Sequence, residues 1–163
     1  MKRIGAPGIA GLAAAVLVLL GLIVLAPGDK ASGGGDVMPR GELVIETASG
    51  PLHLEVEVAR TNKQRSQGLM FRTALDADSG MIFIYESPRE ISMWMKNTIL
   101  SLDMVFIAED GRVTRIVANT TPMSEAKIPS RGPVRAVLEL LAGTAKRLAI
   151  KPGDRVRLDD LAG

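Results

Sequence analysis

The side chains of this sequence that could do chemistry are cations, carboxylates and one Trp placed inside otherwise apolar segments. Trp94 and Lys96 occupy alternate positions, so a strand through them puts both side chains on one face. An aromatic ring beside an ammonium group is a common platform for sugars or anions. Asn97 follows directly, and Asp103 begins the most apolar stretch, where an ionised carboxylate needs a partner. The pattern predicts a ligand site or, alternatively, a core Trp with a buried Lys96 to Asp103 ion pair.

Two arginines could join this site from a predicted helix. Arg65 and Arg72 are seven residues apart and therefore lie on nearly one face, with Gly68 between them leaving room for a ligand or a backbone. Two guanidinium groups so placed can hold a carboxylate or phosphate through paired hydrogen bonds. The alternative is that they bind acidic strand residues or loop carbonyls. The hypothetical ligand site comprises Arg65, Arg72, Trp94, Lys96, Asn97 and Asp103.

Catalysis has one candidate pair in the sequence, Asp103 and Glu139. A glycosidase uses two carboxyl groups about 5 to 9.5 Å apart as acid and as base or nucleophile. Zinc-protease, nucleotide-binding and Ser-hydrolase motifs are absent from the sequence, which disfavours a hydrolase of standard type. We therefore expect a non-enzymatic ligand- or partner-binding module of the cell envelope. The alternatives are an envelope hydrolase acting on glycan and a structural component of an envelope complex.

Residue types also disfavour metal and cofactor sites. The sequence contains no Cys and a single His, His53, which shares a predicted strand face with Glu55. One imidazole without a thiolate favours a solvated polar face over a metal site. Met93 and Met95 could offer thioethers to Cu(I), but both occupy the face opposite Trp94, where Met commonly fills a core. We expect no metal and no cofactor.

The balance of charge argues against one class of partner. The sequence has 20 Lys and Arg residues against 18 Asp and Glu residues, a formal net charge of +2. A protein that binds nucleic acid by neutralising phosphates needs a larger basic excess. We therefore expect no nucleic-acid partner.

The N-terminal part of the sequence predicts a membrane anchor. Residues 8–26 are nineteen residues without a charged side chain, and a helix of that length spans roughly 30 Å of hydrocarbon. A cleaved signal peptide is the alternative. Retention is favoured because the run is long and because Pro27 directly follows the best cleavage position, Ala26. Lys2 and Arg3 precede the run, which predicts an N-terminus on the inner side of the membrane.

The predicted organisation is a cytoplasmic N-terminus at residues 1–7, a transmembrane signal-anchor helix at 8–26, a flexible linker at 27–40 and one domain at 41–163. The chain would cross the cytoplasmic membrane once, and its C-terminal domain would face the periplasm or cell exterior. The lipid bilayer is then one expected partner. A small polar or anionic ligand, or an envelope protein, is the other.

Short strands and two short helices must position the candidate residues. Residues 52–58 alternate between apolar and polar and predict a hairpin with residues 43–46. Thr61 followed by Gln64 is a capping-box pattern for a helix to about residue 71, and a second helix is predicted at 142–150. Further strands are predicted at 81–85, 91–96, 102–108, 113–118, 134–141 and 155–158.

The apolar character of these strands predicts the fold class. Residues 102–107 are apolar on both faces, so the sheet should be covered on both sides, as in a sandwich or a closed barrel. Residues 119–132 contain two Pro and no hydrophobic period, which predicts a long loop of the kind that often carries function. We expect a mainly β fold, a compact sandwich or barrel of jelly-roll type with two short helices, preceded by one transmembrane helix.

Five ordered motifs support a family resemblance: GLMFR at 68–72, GMIF at 80–83, WMKNT at 94–98, LDMVF at 102–106 and LELLAG at 138–143. In order and spacing they resemble the prokaryotic family named domain of unknown function 192, over about residues 43–158. The resemblance implies a compact jelly-roll-like β domain, often exported or membrane-anchored, and no established activity. Ser101 departs from the family pattern, which usually has Pro there, so we expect a looser turn between Asn97 and Asp103.

Overall fold

The computed structural model describes residues 38–161, and within them the chain forms seven strands and two short α-helices. The elements are β1 (Arg40–Thr47), β2 (Gly50–Ala59), α1 (Asn62–Gln67), β3 (Ser79–Met93), β4 (Leu102–Ile107), β5 (Val113–Val117), β6 (Ile128–Leu141), α2 (Thr144–Arg147) and β7 (Arg155–Val156). A 3-10 turn, Asp159–Leu161, ends the described part. The predicted anchor at 8–26 and residues 27–37 of the predicted linker lie outside the described residues. No helix within residues 38–161 is long and apolar enough to cross a membrane.

All seven strands belong to one sheet in the order β5-β4-β6-β3-β2-β1-β7. The sheet curves into a nearly closed barrel, because Arg112 and Arg155 form a bridge between its two edges and Val113 N donates to Asp154 O at 2.8 Å. β2 and β3 are parallel, whereas the other neighbours are antiparallel. The prediction of a mainly β, barrel-like fold with two short helices is confirmed. Of the two predicted alternatives, sandwich and barrel, the single seven-stranded sheet corresponds to the barrel.

Two apolar clusters lie on the two faces of this sheet. The barrel core contains residues from all seven strands, among them Leu43, Val105 and Leu138. The outer core lies on the other face of β3, β4 and β6, and includes Phe83 and Phe106. All six residues of β4 are buried because the barrel core covers one of its faces and the outer core the other.

The longest strands extend beyond the barrel. Residues 79–83 of β3 pair with β2, whereas its residues 84–93 pair only with β6, whose residues 128–134 in turn pair only with β3. These two segments form a two-stranded extension that we call the arm. The arm joins two strands that the sequence predicted separately, at 81–85 and 91–96. Because β6 begins at Ile128, the predicted loop at 119–132 is shorter than expected.

The capped helix forms where the sequence predicts it and ends early. The Thr61 side chain accepts from Gln64 N, while the Gln64 side chain accepts from Thr61 N, which is the predicted capping box. The helix ends at Gln67 rather than near residue 71, because Gly68 adopts a positive φ of 48°. A Cβ at Gly68 would lie 3.1 Å from the Phe83 ring, which confirms that close packing requires Gly there.

Candidate functional site

A cleft of about 360 Å³ lies over the outer core, between α1, the arm and the segments that precede β4 and β6. Its size falls within the range of small-molecule sites. The cleft brings together four cations, three aromatic rings and one carboxyl group. These residues are Arg65, Arg89, Lys96, Lys127, Phe83, Tyr85, Trp94 and Glu139.

Tyr85 forms one aromatic wall of the cleft with a guanidinium on either side. The Arg65 and Arg89 guanidinium carbons lie 5.1 and 5.0 Å from the centre of the Tyr85 ring. Arg65 also donates to the backbone carbonyls of Ile84, at 2.8 Å, and Arg60. The interpretation that Arg65 binds backbone carbonyls is therefore confirmed, and Arg65 also lines the cleft. The Arg89 side chain makes no hydrogen bond or ion pair to residues 38–161, and the residue is exposed.

Trp94 forms the second aromatic wall and is 39% exposed, so it is not the core Trp of the alternative interpretation. Lys96 Nζ lies 5.3 Å and Lys127 Nζ 4.4 Å from the ring centre. Lys96 also pairs with Glu125 at 3.5 Å, in place of the ion pair with Asp103 that the sequence suggested. The platform of an aromatic ring beside an ammonium group is thus confirmed, with Lys127 as an additional cation.

Glu139 is the buried polar group of the cleft. It lies on β6 opposite Met81 of β3 and Met104 of β4, and its exposure is 4%. Its carboxyl group has no hydrogen-bond partner within the described part of the chain. Burial raises the pKa of the Glu139 carboxyl from 4.5 to about 8. At neutral pH the group is therefore mostly protonated and can donate a hydrogen bond.

Arg72 and Asp103 lie outside the cleft and stabilise the fold. Arg72 donates to both oxygens of Glu57, at 2.7 and 2.6 Å, which is the predicted alternative of binding an acidic strand residue. Asp103 is fully buried and accepts from Asn119 N and Ala145 N, both at 2.9 Å. Including these two residues in one ligand site was therefore wrong.

Asn97 lies next to the cleft but does not line it. Its φ is 53°, and its carbonyl accepts from Phe71 N at 2.9 Å. The turn that follows is not loosened by Ser101, whose hydroxyl donates to Thr120 O at 2.7 Å and whose carbonyl accepts from Ala142 N at 3.0 Å. These hydrogen bonds replace the rigidity that Pro would supply.

The register of β4 and β6 separates the candidate catalytic pair. Glu139 lies opposite Met104, while Asp103 lies opposite Leu140. Because neighbouring residues of a strand point to opposite faces, the two carboxyl groups lie on opposite sides of the sheet. No second carboxylate of residues 38–161 lines the cleft. This arrangement does not support a mechanism in which Asp103 and Glu139 act together as acid and base.

The other chemical candidates of the sequence do not converge on the cleft. His53 pairs with Glu42 at 2.6 Å on the exposed face rather than with Glu55. Met95 is buried, and its sulfur accepts from the Thr120 hydroxyl at 3.1 Å. No group of three or more His, Cys, Asp or Glu side chains within residues 38–161 could hold a metal ion.

Sequence reasoning missed Arg89 and Lys127 and assigned Glu139 only to the catalytic pair. Both cations are brought to the cleft by the arm, in which Ser92 lies opposite Pro129 and Met93 opposite Ile128. This pairing is long-range, and no local pattern around Lys127 indicates it. A charged residue within the apolar run 136–141 was the one available signal for a special role of Glu139.

Comparisons with known proteins place the domain in a family and identify related structures. The model of DUF192, described as an uncharacterised ACR, matches residues 44–158. A crystal structure from Sinorhizobium meliloti 1021, provisionally named a transcription regulator, has 50% sequence identity and a TM-score of 0.73, covering 76% of this chain and 97% of that one. A protein of unknown function from Novosphingobium aromaticivorans DSM 12444 has 40% identity and the same TM-score of 0.73, covering 76% and 89%. No curated protein matches the sequence significantly.

Proposed function

The chain belongs to the DUF192 family of uncharacterised proteins, and on that premise we propose from its geometry that it is a binding module for a small organic anion. The supporting observation is the concentration of charge in the cleft. Four cations line it, while the whole sequence has a net charge of only +2. The one carboxylate paired with them is Glu125, which contacts Lys96. A carboxylate or phosphate ligand would complement the uncompensated positive charge.

The aromatic walls and the buried Glu139 carboxyl indicate which other groups the ligand carries besides its negative charge. A flat apolar or sugar face would lie against Trp94, which is partly exposed beside two ammonium groups. Protonated Glu139 at the base of the cleft would donate a hydrogen bond to an acceptor on the ligand. A monoanionic or dianionic sugar derivative, such as a uronate or a sugar phosphate, has these features together.

Binding is favoured over catalysis because the described residues that line the cleft include a single carboxyl group, without a second carboxylate to pair with it. We also propose that the module is anchored in the cytoplasmic membrane by residues 8–26 and faces the periplasm or cell exterior. The uncharged run of nineteen residues supports that placement.

Fluorescence titration of the full-length chain tests the proposed ligand class. Trp94 is the only Trp of the sequence, so intrinsic emission reports on the cleft. We expect saturable changes with glucuronate and glucose 6-phosphate and none with glucose. The double variant Arg89→Gln, Lys127→Gln should weaken the anion affinity at least roughly tenfold, because each charge-assisted hydrogen bond contributes about 1.5 to 3 kcal/mol.

The matched control is Lys151→Gln with Arg155→Gln, which removes two exposed cations outside the cleft. This variant should bind the anions as the wild type does. Equal loss of affinity in both double variants would mean that the anions respond to overall charge. Absence of any saturable response to the anions would contradict the proposal.

A further inference from the structure

Beyond ligand binding, we propose that three loops beside the cleft form a platform that rests on an anionic membrane surface. The platform presents four large apolar side chains to solvent, which are Phe71, Trp94, Ile99 and Met123. Their exposures are 73, 39, 50 and 55%, and no other large apolar side chain of residues 38–161 is comparably exposed. Clustered exposed apolar groups on one surface indicate an interaction site rather than ordinary surface composition.

Backbone hydrogen bonds hold the three loops of the platform together. Phe71 N donates to Asn97 O, and Met123 N donates to Thr98 O, both at 2.9 Å. Phe71, Asn97 and Met123 have φ values of 63, 53 and 60°, in the left-handed region that residues other than Gly seldom adopt. Two apolar side chains are therefore held outward by a strained, hydrogen-bonded backbone. Such strain is typical of functional surfaces.

The charge next to the platform indicates the chemistry of its partner. Lys96 and Lys127 lie against the Trp94 ring, and Arg89 lies nearby in the cleft wall with its guanidinium free of ion pairs to the described residues. A surface that combines aromatic and aliphatic tips with Lys and Arg is typical of segments that lie at the boundary between headgroups and acyl chains. Anionic lipid headgroups would complement the cations.

The sequence that precedes the described residues supports a bilayer as the partner of the platform. Residues 8–26 are predicted to span the membrane, and residues 27–37 separate them from Met38. Eleven extended residues cover at most about 40 Å. Met38 packs in the outer core with Leu69, so the chain enters the domain on the face of the sheet over which the platform lies. A tether this short keeps the platform at high local concentration near the bilayer surface.

This proposal rests on the proposed membrane anchor and shares Trp94, Lys96, Lys127 and Arg89 with the proposed ligand cleft, but its test does not depend on the ligand. Phe71, Ile99 and Met123 do not line the cleft, so they can be changed without removing a cleft residue. Failure of anion binding would leave the platform proposal intact, and the reverse also holds.

Quenching of Trp94 by lipids tests the platform in the full-length chain. The chain is reconstituted into vesicles of phosphatidylcholine alone and of phosphatidylcholine with phosphatidylglycerol, each containing acyl-chain-brominated lipid. We expect strong quenching in the anionic vesicles and several-fold weaker quenching without phosphatidylglycerol. The double variant Phe71→Ser, Met123→Ser should lose most of the quenching while retaining the wild-type circular dichroism spectrum.

The double variant Ala48→Ser, Pro51→Ser is the control, because both residues are exposed in the hairpin between β1 and β2, outside the platform. It should be quenched as strongly as the wild type. The proposal is overturned if Trp94 of the wild type is unquenched in the anionic vesicles. It is equally overturned if the platform variant is quenched as fully as the control. A Trp94 that is shielded from solvent only when an envelope protein extract is added, and not by the vesicles, would also overturn it.

Discussion

At the scale of single residues, Glu139 is the most unusual group of the molecule. A carboxyl that is 4% exposed without a partner among the described residues loses hydration when the chain folds. The ionised form loses more than the neutral form, which is why burial raises its pKa to about 8. A carboxyl group kept neutral in this way can donate a hydrogen bond, as the proposed ligand site requires, and makes stability depend on pH.

Glu139 should make the folded domain less stable as pH rises. Its folded pKa is about 8 against an ordinary value of 4.5, so its stabilising contribution is complete below the lower value and is lost as pH rises toward the higher one. We expect the free energy of unfolding to fall by on the order of a few kcal/mol between about pH 5 and 8. Urea unfolding across that range measures it. Glu139→Gln, which stays neutral, should show a much flatter profile, and a parallel fall in the variant would refute the assignment.

The same ionisation should weaken anion binding. Above about pH 8 an ionised Glu139 would place a negative charge at the base of a cleft that binds anions. We expect the Kd for glucuronate to rise by up to about tenfold per pH unit above that value. Trp94 fluorescence titrations of the wild type and of Glu139→Gln between about pH 6 and 9 make the comparison. If the variant loses affinity as steeply as the wild type, another group is responsible.

At the scale of elements, Asp103 joins three parts of the chain. Located at the start of β4, it accepts from Asn119 N in the loop after β5 and from Ala145 N in the first turn of α2. Asp103 is fully buried, and the buried Ala145 amide depends on it for a partner. This explains a charged residue in an apolar strand without invoking catalysis.

Removal of this carboxylate should destabilise the domain strongly. Asp103→Ala leaves the buried Ala145 amide and the part-buried Asn119 amide without their acceptor, and we expect a loss of about 2 to 5 kcal/mol in the free energy of unfolding, measured with urea. The control is Asp110→Ala, because Asp110 is exposed and its contacts are with Arg112 in the turn after β4, through the backbone N at 3.0 Å and the guanidinium at 3.7 Å. That variant should lose far less. Similar losses in the two variants would contradict the assigned role of Asp103.

Elements were predictable from the sequence where their signals are local. Thr61 and Gln64 identified the capped helix, and the doubly apolar β4 indicated a sheet covered on both faces. Trp94 and Lys96 lie together as expected, although both follow the end of β3 at Met93 instead of sharing a strand face. Local patterns do not determine the register between distant strands. That register puts Asp103 and Glu139 on opposite faces of the sheet.

At the scale of the whole molecule, the barrel and the arm contribute different parts of the cleft. Residues 79–83 of β3 and 136–141 of β6 pair within the barrel and supply Phe83 and Glu139 to the cleft, whereas the arm supplies Tyr85 and Arg89 to its walls. The conserved architecture of the two related crystal structures, each with a TM-score of 0.73, extends over 76% of the chain.

Closure of the barrel depends on one glycine at the seam between its edges. Gly111 has a φ of 81°, its carbonyl accepts from Val156 N at 2.8 Å, and a Cβ there would lie only 2.3 Å from Val156 O. Gly111→Ala must therefore move the backbone of β7 away or distort the turn after β4. Ala at a positive φ is strained, and its Cβ would also clash with the β7 backbone. Because these two costs add to each other, we expect a loss of about 3 kcal/mol in the free energy of unfolding.

Gly50→Ala separates the two causes of that loss. Gly50 also has a positive φ, 113°, but a Cβ there would meet nothing within 4 Å. It should lose only about 1 kcal/mol, the part due to φ. Hydrogen exchange then locates the damage, because Gly111→Ala should raise exchange at Val113 and Val156, whose amides cross the seam, while Gly50→Ala should not. Unchanged protection of those two amides in Gly111→Ala would show that the seam does not hold the barrel closed.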